Sequence, residues 1–255
     1  MISKLGSLCI FSLALIMLLG CTPKKEPHIR IATAASMHYT MQELSKAFTL
    51  QTGIPCDIIT GSSGKLSTQI LQGAPYDIFV AADMDYPNTL FQNKKTVVPP
   101  KIYAYGELVL WTTTSDVAPS LQILSLPEIK HIALANPKTA PYGRSAIEVL
   151  EKLNLLDRIS YKLVYGESVA QASQFIFSQA ADIGFTAKSV VMAPNTENKG
   201  KWTTINQQLY TPIAQGLVVL QNKEQQEEIQ QFYNFLFSDA ATAILNTFGY
   251  SRTKP

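Results

Sequence analysis

The feature that most constrains the fold is a repeated alternation of short apolar runs with amphipathic helical patterns. Ile29–Ala35 is a β-rich run, and Met37, Met41, Leu44 and Phe48 then recur on one face of a helix. Further apolar runs with helical patterns between them lie at Pro55–Thr60, Tyr76–Ala82, His131–Ala135, Tyr161–Tyr165 and Asp182–Thr186. Strands that are joined through helices favour parallel pairing, so the pattern predicts an α/β fold.

The alternation forms two units. The long apolar run Ile102–Thr114 separates them, and the strong strand pattern Thr211–Leu220 is followed by helical patterns around Phe232 and Phe248. Two α/β units joined through long strands indicate two lobes with a cleft between them. Clefts outside the carboxyl ends of parallel strands are where such folds bind ligands.

The composition excludes several classes of protein. Hydrophobic residues make up 46% of the 255 residues and charged residues 16%, which favours a packed core over a disordered chain. The formal net charge is only +2, whereas a nucleic-acid-binding protein normally has a strong excess of basic residues. The three cysteines show no zinc-ligand spacing, and His28, His38 and His131 lie far apart, so no metal-ion site is predicted.

The N-terminus has the pattern of an export signal. Lys4 precedes the apolar run Leu8–Leu19, which is too short to span a ~30 Å hydrocarbon core comfortably. The segment Leu18–Cys21 (LLGC) resembles a bacterial lipobox, in which Cys21 would be acylated and become the first mature residue. We therefore expect a lipoprotein signal peptide at 1–20 and a polar tether at 21–28. An ordinary signal peptide or membrane anchor with an incidental cysteine remains the alternative.

The junctions between strands and helices carry the functional signal. Ala34-Ala35-Ser36, Gly61–Gly64 (GSSG), Pro141-Tyr142-Gly143 and Glu167-Ser168-Val169 each place backbone N–H groups at a predicted helix start. Such termini bind anions through unpaired donors and the positive end of the helix dipole. A serine there is also a common N-cap, and Ser36 taken alone favours capping. Four junctions that could face one cleft favour an anion site.

Other chemistries fit these residues less well. Gly61–Lys65 (GSSGK) has two residues where a phosphate loop needs four and is followed by Leu66, and it does not match the G-x-S-x-G nucleophile motif. Asp83-Met84-Asp85 lacks the glycine and distal glutamate of a calcium loop. Lys65 and Arg144 lie just inside helix starts and are either anion-steering groups or, as the sequence favours, ordinary surface charges.

Five segments together resemble one known family. They are Ile31–Ser36 (IATAAS), Gly61–Leu66 (GSSGKL), Gln72–Asp83 (QGAPYDIFVAAD), Ala135–Gly143 (ANPKTAPYG) and Gly166–Val169 (GESV). In order and spacing they resemble the periplasmic molybdate-binding proteins of ABC importers, over about residues 29–250. The 27-residue step from Ser36 to Ser63 matches the family's spacing between two ligand-contacting hydroxyls.

This resemblance implies the type II periplasmic-binding-protein fold, with two lobes, mostly parallel sheets flanked by helices, and a ligand cleft between the lobes. Lobe 1 would comprise 29–107 and 213–255, and lobe 2 would comprise 108–212. The resemblance also implies a ligand set. Ser36 and Ser63 would donate hydroxyl and backbone N–H bonds, and Tyr142 and Val169 would donate backbone N–H bonds. Ala187 stands where part of the family has a ligand tyrosine, so one donor is missing.

The chemistry of the ligand agrees with such a donor set. Molybdate is a tetrahedral dianion with four acceptor oxygens and no proton at neutral pH. Neutral donors can hold it because each charge-assisted hydrogen bond contributes on the order of 1.5–3 kcal/mol. The same donors disfavour protonated phosphate, whose own donor would face another donor.

The function expected from the resemblance is a lipid-anchored extracytoplasmic receptor that delivers molybdate, and also tungstate, to the permease and ATPase of an ABC importer. It would be a monomer of the cell envelope, on the periplasmic side or the outer face of the cell membrane, with no cofactor, catalytic role or nucleic-acid partner. Three alternatives stay open. They are a receptor for another oxyanion or small anionic solute, a secreted hydrolase that uses Ser36 or Ser63, and an anion sensor without a transporter.

Overall fold

The computed structural model describes residues 28–196, 198–221 and 226–254. The expected signal peptide at 1–20, Cys21 and the tether up to residue 27 lie outside the described residues. Within the described part, no helix combines the length and apolar character that crossing a membrane requires.

The strands are short and alternate with helices along the chain. The strands are β1 (Ile29–Ala34), β2 (Cys56–Gly61), β3 (Ile78–Ala81), β4 (Lys101–Gly106), β5 (Leu108–Thr112), β6 (Ile132–Ala135), β7 (Leu163–Gly166), β8 (Ile183–Ala187), β9 (Lys201–Thr204) and β10 (Ile213–Val219). The α-helices are α1 (His38–Thr52), α2 (Ser63–Leu71), α3 (Asp85–Gln92), α4 (Pro141–Lys152), α5 (Leu156–Ile159), α6 (Val169–Phe177), α7 (Lys188–Val191), α8 (Gln226–Phe235) and α9 (Asp239–Thr247). Short 3₁₀ turns lie at Ala35–Met37, Leu121–Ser125, Ser160–Lys162 and Gln207–Leu209.

Two five-stranded sheets define two lobes. Lobe 1 has the strand order β2-β1-β3-β10-β4, and lobe 2 has the order β7-β6-β8-β5-β9. The chain leaves lobe 1 after Gly106, enters lobe 2 at Leu108 and returns through β10 at Ile213.

The sheets are mixed rather than mostly parallel. The predicted parallel pairing is present among β2, β1 and β3 and among β7, β6 and β8. Strand β10 pairs antiparallel with β3 and β4, and β5 pairs antiparallel with β8 and β9. The physical reason is the connection between the lobes. Strands β5 and β10 enter their sheets from the other lobe, not through a crossover helix within the same sheet, so they are free to pair antiparallel.

The core of lobe 1 joins the two ends of the described chain. Helix α1 buries Met41, Leu44 and Phe48, as the pattern predicts, and Gly53 ends it in the left-handed conformation with φ of 75°. Phe48 packs edge-on against Phe232 of α8, with ring centroids 5.0 Å apart. The C-terminal helices therefore complete the lobe that the N-terminal strands begin.

Some elements escape the periodicity analysis. Helix α3 buries only Pro87 and Leu90, and β9 has no buried residue, so neither shows a clear apolar pattern. The continuous apolar run Ile102–Thr114 is two strands in different lobes, because Gly106 and Glu107 lie at the crossing.

Candidate anion-binding site

The four junctions predicted from the sequence meet in the cleft between the lobes. In lobe 1 the last residues of β1 and β2, Ala34 and Gly61, lie opposite each other in parallel register. In lobe 2 the last residues of β6 and β7, Ala135 and Gly166, have the same relationship. Since adjacent parallel strands end at the same edge of their sheet, each lobe presents two helix starts side by side.

These helix starts enclose a small cavity with an empty volume of about 180 Å³. The cavity is lined by Ala34, Ala35, Ser36, Ser62, Ser63, Ala82, Ala140, Pro141, Tyr142 and Val169. All four predicted site residues are in this set, and none of the ten carries a charge. Ala187 is fully buried at the end of β8 and is not among the lining residues. The lining residues are all buried and leave little space between them, so the cavity suits a small ion.

Backbone N–H groups supply donors from both lobes. Ser63 is the first residue of α2 and Val169 the first of α6, while Tyr142 is the second of α4. N–H groups in the first turn of a helix have no intrahelical partner, and the helix dipole adds positive potential there. The cavity therefore attracts negative charge without a charged side chain.

Three serine hydroxyls add to these donors. The Ser63 hydroxyl oxygen accepts a hydrogen bond of 3.0 Å from the backbone N–H of Ala82, which leaves the Ser63 proton to be donated. The hydroxyls of Ser36 and Ser62 are buried without a hydrogen-bond partner. An unpaired buried hydroxyl lowers the stability of a protein. Both hydroxyls are therefore suited to donate hydrogen bonds to a bound ligand.

Sequence analysis missed one of these serines, Ser62, and favoured capping for Ser36 when that residue was taken alone. Ser62 is the N-cap of α2, yet its side chain makes no capping bond. The sequence indicates Ser62 only through its position beside Ser63 in the GSSG segment. The capping interpretation of Ser36 is wrong, because Ser36 lies inside the 3₁₀ turn and makes no side-chain cap. Ser168 does cap its helix, accepting from the N–H of Gln171 at 3.4 Å.

The two lobes touch across the cavity. The backbone N–H of Gly64 in lobe 1 donates to the carbonyl of Thr139 in lobe 2 at 2.9 Å. A Cβ at Gly64 would lie 3.1 Å from the Cα of Thr139, tighter than ordinary contact, so glycine favours this close approach of the lobes. Lys65 pairs with Glu167 of the other lobe.

Arg144 also pairs across the cleft, with Asp83. The surface-charge interpretation therefore misses the role of both cations as interlobe contacts.

Comparison with known proteins assigns the chain to a family. The model of the family described as bacterial extracellular solute-binding protein matches residues 29–251. This chain belongs to that family. Among its relatives, the molybdate-binding protein ModA of Azotobacter vinelandii is 34% identical over 235 residues, covering 91% of this chain and 93% of that protein. The molybdate-binding protein ModA of Rhodobacter capsulatus is 34% identical over 240 residues, covering 94% of each.

Solved structures match this solute-binding protein over most of its length. The periplasmic molybdate-binding protein of Azotobacter vinelandii aligns with a TM-score of 0.83 and 32% identity, covering 87% of this chain and 98% of that one. The sulfate-binding protein SubI of Mycobacterium tuberculosis H37Rv aligns with a TM-score of 0.74 at 15% identity, covering 88% and 86%, which is a likeness of fold alone. The predicted two-lobed α/β fold is confirmed.

Buried tyrosines support the cavity of this solute-binding protein from behind. The carbonyl of Ser36 accepts hydrogen bonds from the Ser189 hydroxyl at 2.7 Å and from the Tyr250 hydroxyl at 3.1 Å. Burial raises the pKa of Tyr250 to about 12 and the pKa of Tyr142 well above its usual value of 10. Both phenols stay protonated at neutral pH, so neither adds negative charge beside the cavity.

The serines of the cavity lack the partners that a nucleophile needs. The Ser63 hydroxyl is held by a backbone N–H, and the Ser36 hydroxyl has no hydrogen-bond partner. The neighbouring His38 pairs its Nδ1 with the Thr60 hydroxyl at 3.1 Å instead. A serine nucleophile requires an adjacent base, so this geometry does not favour hydrolysis. Among the described residues, no group of three His, Cys, Asp or Glu side chains could hold a metal ion.

Proposed function

We propose that this solute-binding protein captures molybdate, and also tungstate, outside the cytoplasm and delivers the anion to the permease and ATPase of an ABC importer. It acts as a carrier that catalyses no reaction and needs no cofactor. Ser36, Ser63, Tyr142 and Val169 hold the oxyanion, and Ser62 joins them as a further hydroxyl donor.

The observation that carries this proposal is a small cavity between the lobes, lined only by neutral groups. Backbone N–H groups at three helix starts and three serine hydroxyls converge on it from both lobes. A dianion with four acceptor oxygens satisfies such donors, including the two hydroxyls that are otherwise unpaired. Charge-assisted bonds of this kind replace the countercharge that the cavity lacks.

Selectivity follows from the same donors. Phosphate carries a proton near neutral pH, and that proton would meet a donor rather than an acceptor. Sulfate is unprotonated, so only the size of the cavity can separate it from molybdate and tungstate. The names of the two ModA relatives favour molybdate over sulfate as the ligand.

Isothermal titration calorimetry of the purified protein with molybdate, tungstate, sulfate and phosphate tests the proposal. We expect tight binding of the first two anions and binding at least about 100-fold weaker for sulfate and phosphate, a difference of ~2.7 kcal/mol. Comparable affinity for sulfate would favour the alternative of a general oxyanion receptor. Turnover of ester substrates that Ser36→Ala or Ser63→Ala abolishes would favour the hydrolase instead.

The envelope location is a separate part of the proposal. Cys21 ends the lipobox-like segment Leu18–Cys21 and would carry the lipid, and more than one acyl chain would give stable attachment. Mass spectrometry of the mature N-terminus should find an acylated Cys21, and Cys21→Ser should leave the protein unlipidated and uncleaved by the lipoprotein peptidase. An unmodified residue 21 in the mature protein would contradict this. Native mass spectrometry should find a monomer.

A further inference from the structure

We propose that Arg144 is a positioning residue for ligand capture, which holds the lobes closed over the anion through its ion pair with Asp83. This inference rests on the proposed function, because it concerns how tightly the same cavity retains its anion. Arg144 lies in lobe 2 near the start of α4, and Asp83 lies in lobe 1 after β3.

The ion pair connects the two walls of the cavity. Asp83 follows Ala82, whose N–H orients the Ser63 hydroxyl. Arg144 comes two residues after Tyr142, which lines the cavity from the other lobe. Arg144 itself does not line the cavity but lies in the neighbouring groove. It can therefore act on the anion through the position of the lobes rather than through a direct contact.

Several contacts hold the Arg144 guanidinium in place. Besides its pair with Asp83, its Nη2 lies 3.5 Å from an oxygen of Asp85. Its Nη1 donates to the Tyr86 hydroxyl at 3.4 Å, and the guanidinium carbon lies 5.5 Å from the centre of the Tyr86 ring. The Tyr86 hydroxyl in turn donates to the carbonyl of Lys138 at 3.2 Å. Lobe 1 therefore contacts lobe 2 at two points beside the cavity, the Arg144 guanidinium and the carbonyl of Lys138.

Because Asp83 and Arg144 are partly buried, their ion pair affects the equilibrium between the open and closed forms. The Asp83 side chain is only 13% exposed in the closed form, and that of Arg144 is 33% exposed. Burial raises the pKa of Asp83, and the Arg144 charge acts in the opposite direction. When the lobes separate, water can solvate both groups. Loss of Arg144 would therefore leave an unpaired buried carboxylate in the closed form alone, which shifts the equilibrium towards the open form.

The consequence is a weaker apparent affinity with an unchanged site. Closure over the bound anion retains it, so a less favourable closed form lowers the apparent affinity. The effect must be the same for molybdate and tungstate, since the cavity is untouched. It must appear as faster dissociation, because truncating a buried pair changes the dissociation rate, whereas loss of long-range attraction slows association.

The second interlobe pair offers a matched control. Lys65 and Glu167 also bridge the lobes, but their side chains are 53% and 62% exposed. Exposed pairs contribute little, so Lys65→Gln should weaken binding by less than about 5-fold. Arg158→Gln, a substitution of an exposed arginine in α5 of lobe 2, controls for the loss of one positive charge.

The test measures molybdate and tungstate binding to the purified protein by calorimetry and stopped-flow kinetics. We expect Arg144→Gln to weaken both anions by about 5- to 30-fold, mainly through faster dissociation, with Arg158→Gln unchanged. The unfolding midpoint without ligand should stay the same, because both charges are solvated in the open form. The double variant Arg144→Gln/Asp83→Asn should recover part of the affinity, since it leaves no buried charge unpaired but still lacks the ion pair.

Other outcomes would overturn the inference. Binding by Arg144→Gln that equals that of the unsubstituted protein would show that the pair does not hold the lobes closed. Slower association at unchanged dissociation, with tighter binding by Asp83→Asn, would show that Arg144 attracts the anion directly. An unsubstituted protein that binds neither anion would overturn the proposed function, and this inference with it.

Discussion

The backbone N–H of Ala82 donates a hydrogen bond of 3.0 Å to the hydroxyl oxygen of Ser63. Ala82 follows β3 and Ser63 begins the helix after β2, so the bond links the junctions at the ends of the two strands that flank β1. It gives the hydroxyl one orientation before any ligand arrives. A donor that is oriented in advance loses less freedom on binding, which favours affinity.

Ser63→Ala should weaken molybdate binding by about 10- to 150-fold, because it removes a charge-assisted donor contributing roughly 1.5–3 kcal/mol. It should also lower the free energy of unfolding by about 1 kcal/mol, since the Ala82 N–H loses its acceptor. Calorimetry and chemical denaturation measure the two effects.

The control is Ser238→Ala, which removes the cap of α9 bonded to the Ala241 N–H at 3.2 Å. It should lower stability alone. Normal molybdate affinity in Ser63→Ala would refute the role given to Ser63.

Ser36→Ala should weaken molybdate binding without lowering the stability of the ligand-free protein. The Ser36 hydroxyl is buried and unpaired, so its removal should leave the ligand-free protein equally stable or slightly more stable. Molybdate affinity should fall by at least about 10-fold, as for other charge-assisted donors. Thermal unfolding with and without molybdate shows both effects in one experiment, because tight binding raises the midpoint. Reduced ligand-free stability with normal affinity would restore the capping interpretation.

Val169→Pro tests a backbone donor directly. Val169 is the first residue of α6, where proline is tolerated, and Ser168 before it has the extended conformation that proline requires, with φ of −146° and ψ of 170°. The substitution removes the N–H while the helix can persist. We expect molybdate affinity to fall by about 10- to 150-fold with circular dichroism unchanged. Val169→Ala keeps the N–H and should bind within about 3-fold of the unsubstituted protein. Equal losses in both variants would show that the side chain matters instead.

Cys56 should behave as a core residue rather than as a reactive thiol. Burial raises its pKa from 9.0 to about 12, and it packs against the core of lobe 1. At pH 8 its alkylation should be at least about 100-fold slower in the folded protein than after denaturation, because the thiolate is the reactive form. Cys56→Ser identifies the signal from this thiol. Rapid alkylation of the folded protein would contradict the prediction.

The same shift has a consequence for stability. The folded protein binds the Cys56 proton more tightly than the unfolded chain does, so the free energy of unfolding should fall as the pH rises from about 9 to about 12. Cys56→Ser should lack this component. Denaturation curves of both proteins across that pH interval measure the difference.

Local patterns in the sequence determined much of the fold and most of the candidate site. Period-two and period-3.6 apolar patterns predicted β1, α1 and the parallel strands, because one buried face is enough to mark an element. The junctions that contain Ser36, Ser63, Tyr142 and Val169 could be located because strand ends and helix starts are local features, whereas the resemblance to the family singled out these four residues. Helix α3 was not predicted, because most of its surface faces water and only two of its residues are buried.

Tertiary structure alone decided what depends on contacts between distant residues. Ser62 and Ser63 are chemically identical neighbours, and only the position of Ala82 shows which hydroxyl is held and which is unpaired. Arg144 and Asp83 are 61 residues apart, and each looks like a surface charge until the lobes bring them together. Periodicity reports which face of an element is buried, but not which element covers it. The pairing of the two lobes, and with it the closing of the cavity, belongs to the folded molecule.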